Sequence, residues 1–544
     1  MKKSTEQKIN VNFVIEGFSC QGILYQEDNR FYLDVTSPIP NISYQPKKII
    51  CYQGNQIIVL HENLIRSKRI FPTFVVDNYE RSFFYTFSFC LDGLQDFLSE
   101  SEDRNGFVFS EQIKIDNDLY TCDCFNDTEK TLITIKSPCH SVEINRINFI
   151  VQRFVQLFTL LSYKRITCSS IHIVEEKEEY EFFSWMRKSF VGQRGRHYSL
   201  LHAGLVYKNC CWRNILVNFF ERKHLFFKSC LNGYIDLIDG DSLFGHNIIN
   251  VYGIWDCYTK LVREKVDCQY TSQDFDEVFD YLHKMAKKDY MKFSGSQQKV
   301  IDDLFEKREP IKHTIGPHFY ERFCALYNQI DENFRRLFPS ALCDFKFLKK
   351  ARSKYAHGEI NYRPKEGFEE LYQIFRRIRL MTIVFIYEEL GISLIDICKG
   401  LRNSLHGHVI NVELDRFVLS SIINDTPFFI VDEKTWKYFD QPRIYSCFNY
   451  NPLTNLLEID KEVSEKAWKD SMNVSEPFYG NHVTKVCPKC KEPVYLNNVF
   501  LIYKNSHREV WGSFLLNYEM VPNELKEKCE IQRTDLLLKR YKSR

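Results

Sequence analysis

From residue 9 onward, apolar and polar positions alternate with a period of two. INVNFVIEGF (9–18), FYLDVTS (31–37), KKIICYQGNQIIVLH (47–61) and RSFFYTFSFCL (81–91) set β-branched and aromatic residues between Gly, Asn and Asp. This pattern predicts strands with one face on a core. Gly54-Asn55 stands where a two-residue hairpin turn would join two of them. A β-rich region over 1–145 is expected, folded as a sandwich or rolled sheet and suited to sensing or docking.

The period then lengthens. NRINFIVQRFVQLFTLLSY (145–163) reads as a helix, and a mixed region, 146–270 in all, continues beyond it. From 271 to 410 the pattern is helical. DFDEVFDYLHKMAKK places Phe275, Val278, Phe279 and Leu282 on one face. HFYERFCALYNQIDENFRRLF repeats the pattern through Phe319, Phe323, Leu326, Ile330, Phe334 and Leu337, with Pro339 ending that helix. In PKEGFEELYQIFRRIRLMTIVFIYEELG, Pro364 sits near the start and Gly391 just past the end, the favoured asymmetry for a helix. Apolar residues run almost all the way round it near 378–387, which asks for burial on more than one side; a subunit interface would supply it. Residues 411–544 read as a small mixed region. The predicted class is therefore α+β, with a β-rich N-terminal region, an all-α bundle and a mixed C-terminal part.

Composition adds bounds. At 544 residues the chain is long enough for two to four domains. With 44% hydrophobic residues it can fill real cores, which argues against disorder. The formal charge of +2 excludes a global polycation, so any nucleic-acid contact must be local. The N-terminus MKKSTEQKINVNF lacks the apolar core of a secretory signal, and runs such as IVFIY are too short for a membrane span. Nineteen scattered cysteines then fit free thiols in a reducing cytoplasm, the expected location.

ARSKYAHGEI (351–360) carries the most specific chemistry. Arg352 precedes His357 by five residues, about 140° apart on a straight helix, so the pair converges only if the helix ends or bends within the motif or faces a shared cleft. Histidine titrates near neutrality and can move a proton to or from a hydroxyl. Arginine can clamp a phosphate bidentately and stabilise charge building on phosphorus. RNA brings its own nucleophile, the 2′-hydroxyl. The bland alternative is an ordinary polar helix end, with Tyr355 packing beside it.

FLKKARSKYAHGEI followed by LYQIFRRIRLMTIVFIYEELGI resembles the core of a HEPN domain, whose signature is Arg, four to six residues and then His. With β-rich sequence before it, the layout is similar to ApeA-type anti-phage HEPN proteins. The resemblance covers roughly 270–400, and Ser353 stands where the family often has a more strongly polar residue. It implies an endoribonuclease of anti-phage defence (abortive infection) acting on RNA, with tRNA among the family's substrates. It further implies a homodimer, no metal or other cofactor for catalysis, a phage-derived trigger acting through the N-terminal region, Arg352 on the scissile phosphate and His357 as acid or base. A HEPN protein that only binds or regulates is the alternative within this reading.

Other motifs compete. In GLRNSLHGHVI (400–410), Arg402 with His406 or His408 is a second candidate pair, and Asn403 adds a polar neighbour. Arg402 and His406 at i, i+4 would share a helix face, and VINVELDRFVLSS (409–421) after them reads partly as strand. In YIDLIDGDSLFG (234–245), Asp236, Asp239 and Asp241 could hold divalent metals for a metal-dependent nuclease, although Asp239-Gly240 is first a hairpin turn. Cys487 and Cys490 in VCPKCKEPVY form half of a structural zinc knuckle, with His482, His507 and Cys529 available singly. FRRIR (375–379) and the tail LLLKRYKSR offer local positive charge to RNA. No GxxxxGK[ST], GxSxG or HExxH is present.

Overall fold

The computed structural model describes residues 8–15, 17–27, 30–38, 48–53, 56–66, 69–77, 83–98, 106–127, 130–138, 141–175, 178–184, 212–221, 233–235, 237–238, 244–261, 272–308, 319–356, 368–404, 406–440, 446–472, 483, 486–488 and 493–531. They group into two compact units, one spanning residues 1–393 and 404–412, the other 394–403 and 413–544.

The first unit opens with β1 (Ile9–Ile15), β2 (Phe18–Glu27), β3 (Arg30–Val35), β4 (Lys48–Gln53), β5 (Gln56–Arg66) and β6 (Arg69–Asp77). They hydrogen-bond in the order β3-β2-β1-β4-β5-β6, and β3 also pairs with β6, Leu33 opposite Ile70 and Asp34 opposite Arg69. The ring is thereby closed, and the predicted rolled sheet is a small antiparallel barrel without free edges. Alternation does the filling: Val11, Phe13 and Ile15 point inward between exposed neighbours, meeting Leu24, Leu33, Cys51, Leu60 and Ile70. At the seam Arg69 donates to both oxygens of Asp34, and these bonds, helped by Tyr25, hold that carboxyl below its ordinary pKa against the opposing effect of burial. Gly54 and Asn55 lie outside the described residues; on either side of them β4 and β5 pair antiparallel, Gln53 opposite Gln56.

Pairing continues past the barrel through β7 (Phe83–Phe84), β8 (Thr86–Asp92), β9 (Phe107–Ile115), β10 (Asp118–Asn126), β11 (Thr131–Lys136), β12 (Val142–Glu143), β13 (Thr167–Glu175) and β14 (Glu178–Ser184). From β6 the order is β14-β13-β8-β11-β10-β9, while β7 and β12 pair separately. The sheet thus extends beyond residue 145, because β13 and β14 rejoin it after the helix α1 (Arg146–Ser162), whose Phe154 packs on Phe89.

The helical part comprises α2 (Trp212–Phe220), α3 (Phe244–Leu261), α4 (Ser272–Lys288), α5 (Gly295–Glu306), α6 (Phe319–Gln329), α7 (Glu332–Leu337), α8 (Ala341–Ala356) and α9 (Phe368–Glu389). Two expectations change here. The helix expected over 318–338 is two, because the Asp331 side chain accepts from the Asn333 amide and starts a new helix. Residues 233–235 and 237–238, expected to flank a β-turn, are helical.

Helix α9 ends as expected, with Gly391 at φ +87° and amide bonds from Gly391 and Ile392 closing the last turn. Its continuous buried stretch from Ile378 to Tyr387 finds partners within its own chain. Tyr387 donates to the Leu160 carbonyl of α1 at 2.9 Å, Trp255 of α3 donates to Thr382 at 2.9 Å, and Arg377 grips Asp344 of α8. No subunit interface is needed to explain that apolar surround.

The second unit contains α10 (Leu394–Asn403). After α11 (Gly407–Ile410), which belongs to the first unit, come α12 (Arg416–Ile423), β15 (Phe428–Ile430), α13 (Glu433–Tyr438), β16 (Ser446–Asn451), β17 (Leu456–Ile459), α14 (Lys461–Met472), β18 (Val494–Tyr503) and β19 (Ser506–Leu515). The sheet order is β15-β18-β19-β16-β17, with parallel and antiparallel pairs. VINVELDRFVLSS is not strand: Asp415 caps α12, Asn424 closes it in the left-handed conformation, and Leu419, Ile422 and Ile423 form its buried side. The broad prediction of a β-rich start, helical middle and mixed end matches the architecture. Among the described residues no helix is long and apolar enough to cross a membrane.

Candidate functional site

Helix α8 has a buried line, Ala341, Phe345 and Leu348, spaced to fall on one side. One turn beyond Leu348 on that same line stands Arg352, and there the core stops: the residue is exposed. Its guanidinium lies over the ring of Tyr252 on α3, 5.4 Å from the centroid. Helix α3 runs alongside α8, held by Trp255 against Phe345 and by Tyr355 against its first turn. Gly245 permits that contact, since a Cβ there would come within 2.7 Å of the Tyr355 ring. Tyr355 is therefore a packing residue, as expected.

The Tyr252 ring also packs against Phe319 of α6, with centroids 4.3 Å apart and planes inclined by 56°. One turn along α3, Asp256 accepts from Arg322 of α6 at 2.6 Å and from Lys260 at 2.8 Å. Burial, with Asp256 close by, raises the Tyr252 pKa, and Arg352 and Arg322 pull the other way. No carboxylate among the described residues pairs with Arg352. Around it α8 carries Lys346, Lys349, Lys350 and Lys354, all exposed, with no acidic residue after Asp344. The arrangement is an open guanidinium on an aromatic support in a basic surround, and its chemistry suits a phosphate. His357 lies outside the described residues.

The second pair is arranged differently. Arg402, at the end of α10, fills its fork with Asp425, both nitrogen–oxygen distances being 2.7 Å, and touches Thr426. Burial pushes the Asp425 carboxyl up, but the Arg402 bonds and charge more than offset this and hold it low. Asn403 donates to the Lys399 carbonyl of its own helix. Helix α10 stops at Asn403, so His406 does not continue the face of Arg402; its half-buried ring meets the Tyr163 ring edge-on at 5.3 Å. The side chain of His408 is outside the described residues.

Asp236, Asp239 and Asp241 are likewise outside them, as are Cys490 and His482. Among the described residues, no group of three or more His, Cys, Asp or Glu side chains gathers to hold a metal ion. Cys487 is in a disulfide, and since the other described cysteines are free its partner lies outside the described residues. His507 stacks on Phe417 at 4.2 Å and approaches Asp415, and Cys529 is buried in a hydrophobic cluster. Of the FRRIR cations, Arg377 is held by Asp344, Arg376 lies over Tyr372, and Arg379 is buried on the Leu237 carbonyl. This segment is not an open basic patch.

Tyr252, Asp256 and Arg322 were not singled out in the sequence. The i, i+4 series Tyr252, Asp256, Lys260 beside apolar Ile248, Val251 and Trp255 is the signal that points to their helix. Comparisons with protein-family models, curated proteins and solved structures return no match to this chain.

Proposed function

We propose that this protein is a metal-independent endoribonuclease of the HEPN type, with Arg352 and His357 in its active site. The observation that carries the reading is the contrast between the two arginines: among the described residues the Arg352 fork has no carboxylate partner and is supported by Tyr252, whereas the Arg402 fork is filled by Asp425. The substrate's 2′-oxygen attacks the adjacent phosphorus as the bond to the 5′-oxygen breaks. His357 takes the proton from the 2′-hydroxyl or supplies one to the leaving 5′-oxygen, and Arg352 stabilises the charge on the phosphoryl oxygens. The products are a 2′,3′-cyclic phosphate and a 5′-hydroxyl. The β-rich region serves as the regulatory part, the chain works as a dimer, and anti-phage defence through cleavage of RNA, with tRNA a candidate, is the biological setting proposed from the resemblance.

The test is RNA cleavage by the purified chain in EDTA, with the product ends identified. Arg352→Ala and His357→Ala are each expected to lower the rate by about 10²-fold or more, and Arg402→Ala to retain it. Cleavage that needs a divalent ion would transfer the proposal to the aspartates at 236–241. Unchanged cleavage in Arg352→Ala and His357→Ala would end the site assignment.

A further inference from the structure

Helices α4 and α5 form a hairpin that is closed on one side and bare on the other. On the closed side Phe279 meets Phe275 and Phe305, His283 stacks on Phe305 at 4.3 Å, and Arg308 bonds both Asp276 and Asp280. Ser294 and Gln297 make a reciprocal capping box at the turn into α5. Yet over residues 272–308, Phe279 is the one described residue that is buried. Between the helices runs an apolar groove of about 720 Å³, lined by Leu282, Phe293, Val300 and Leu304 among others. Beside it Val278, Tyr281, Leu282 and Met285 make a stripe at helical spacing, each between 45% and 62% exposed.

Two short helices with so little burial are marginal in water, and their stability comes from covering the apolar face. A stable interface covers about 800 Å² per partner, and a second copy of this hairpin would bring a matching apolar face. A small ligand is a poorer match, because ligand sites add convergent polar groups. Here the polar lining is Ser296 and Gln297, and Gln297 is engaged in the cap.

Charge identifies the occupant. The first half of α4 carries Asp274, Asp276, Glu277 and Asp280 and no cation of its own, Asp276 and Asp280 being held by Arg308 on the closed side; the second half carries His283, Lys284, Lys287 and Lys288 and no acid. At about 100° per residue, Glu277, Lys284 and Lys288 fall along one edge of the Val278–Met285 stripe. A second identical helix laid antiparallel, with its twofold axis near Tyr281 and Leu282, sets acidic half against basic half twice over. A parallel copy sets like against like. We infer that the α4–α5 hairpin is a self-association surface, on which two copies of this chain pair antiparallel to form a four-helix bundle. The surface makes no use of Arg352, and its readout is assembly rather than cleavage.

Analytical ultracentrifugation of the full chain at micromolar concentrations tests it. The wild type is expected as a reversible dimer, and Leu282→Glu with Val300→Glu as a monomer. Charge reversal at exposed positions guards against misfolding: Lys284→Glu with Lys288→Glu, or Asp274→Lys with Glu277→Lys, should each weaken pairing by about tenfold or more, with circular dichroism unchanged. Mixing the two reversed variants should restore a dimer, since each now complements the other. A monomeric wild type, a dimer indifferent to the groove substitutions, or a mixture that fails to pair would overturn the inference.

Discussion

Replacing Arg402 with alanine separates a structural arginine from a chemical one. The side chain makes two charge-assisted bonds of 2.7 Å to Asp425, linking the end of α10 to the segment after α12. The two side chains retain 16% and 19% exposure. Removing one partner of a fully buried pair costs about 3–5 kcal/mol, because the other charge is left desolvated. Here water reaches the pair and Thr426 still bonds Asp425, so about 2 kcal/mol is the expected loss. The pH dependence has a definite sign. Asp425 is held below its ordinary value of 3.8, so its contribution is present above that value and disappears as pH falls through the lowered folded value. The stability gap between wild type and Arg402→Ala should be full at pH 7 and start to narrow below about pH 4, toward the lowered folded value. Urea unfolding at several pH values gives the gap, and hydrogen exchange in α10 and α12 localises it. A cycle with Asp425→Ala should return a coupling of about 1–2 kcal/mol. A gap that shows no decline as pH falls below 4, or lost RNA cleavage with unchanged stability, would refute this reasoning and return Arg402 to the list of catalytic residues.

Two further outcomes follow from single positions. Burial, with Asp331 and Glu389 nearby, pushes the Glu388 carboxyl up to about 7. The folded state therefore prefers the protonated form: the contribution is full below the unfolded value of 4.5 and is lost as pH rises through 7. Since the side chain is only half-buried, Glu388→Gln should stabilise by about 2 kcal/mol at pH 8 and by little at pH 4, read from thermal midpoints; an equal gain at both values counts against it. Gly391→Ala should cost about 1–3 kcal/mol, because φ is +87° and the new Cβ would lie 2.6 Å from Asn218 Nδ2. Urea midpoints measure this, and a neutral result would contradict the cap geometry.

The strands and long helices were legible wherever local pattern and burial agree. β1 shows its period of two, and α9 shows both its glycine stop and its need for burial. What covers α9 was not legible, since Tyr387 reaches a carbonyl 227 residues away, and no local pattern carries that pairing. Closure of the barrel through β3 and β6 is hidden for the same reason. Asp331 was readable as a cap in retrospect, but the apolar period continued across it and won the assignment. At the candidate site the sequence supplied the cation and missed its support, because Tyr252 sits 100 positions before Arg352 on a helix whose own polar line was weak.

The basic run on α8 has a bland explanation that must be set against the functional one. Cations near a helix C-terminus complement its dipole, and Lys349, Lys350 and Lys354 need no further reason. Arg352 is not covered by that account. A residue placed only for the dipole gains from pointing into water, whereas Arg352 continues the buried line of Phe345 and Leu348 and lies across an aromatic ring. The nearby carboxylate that could neutralise it, Asp256, is already shared by Arg322 and Lys260. Among the described residues, three cations then stand to one carboxylate on that face of α3, α6 and α8, and Arg352 is the cation there with no described carboxylate partner. A phosphodiester brings the charge and the two in-plane acceptors that such a group lacks.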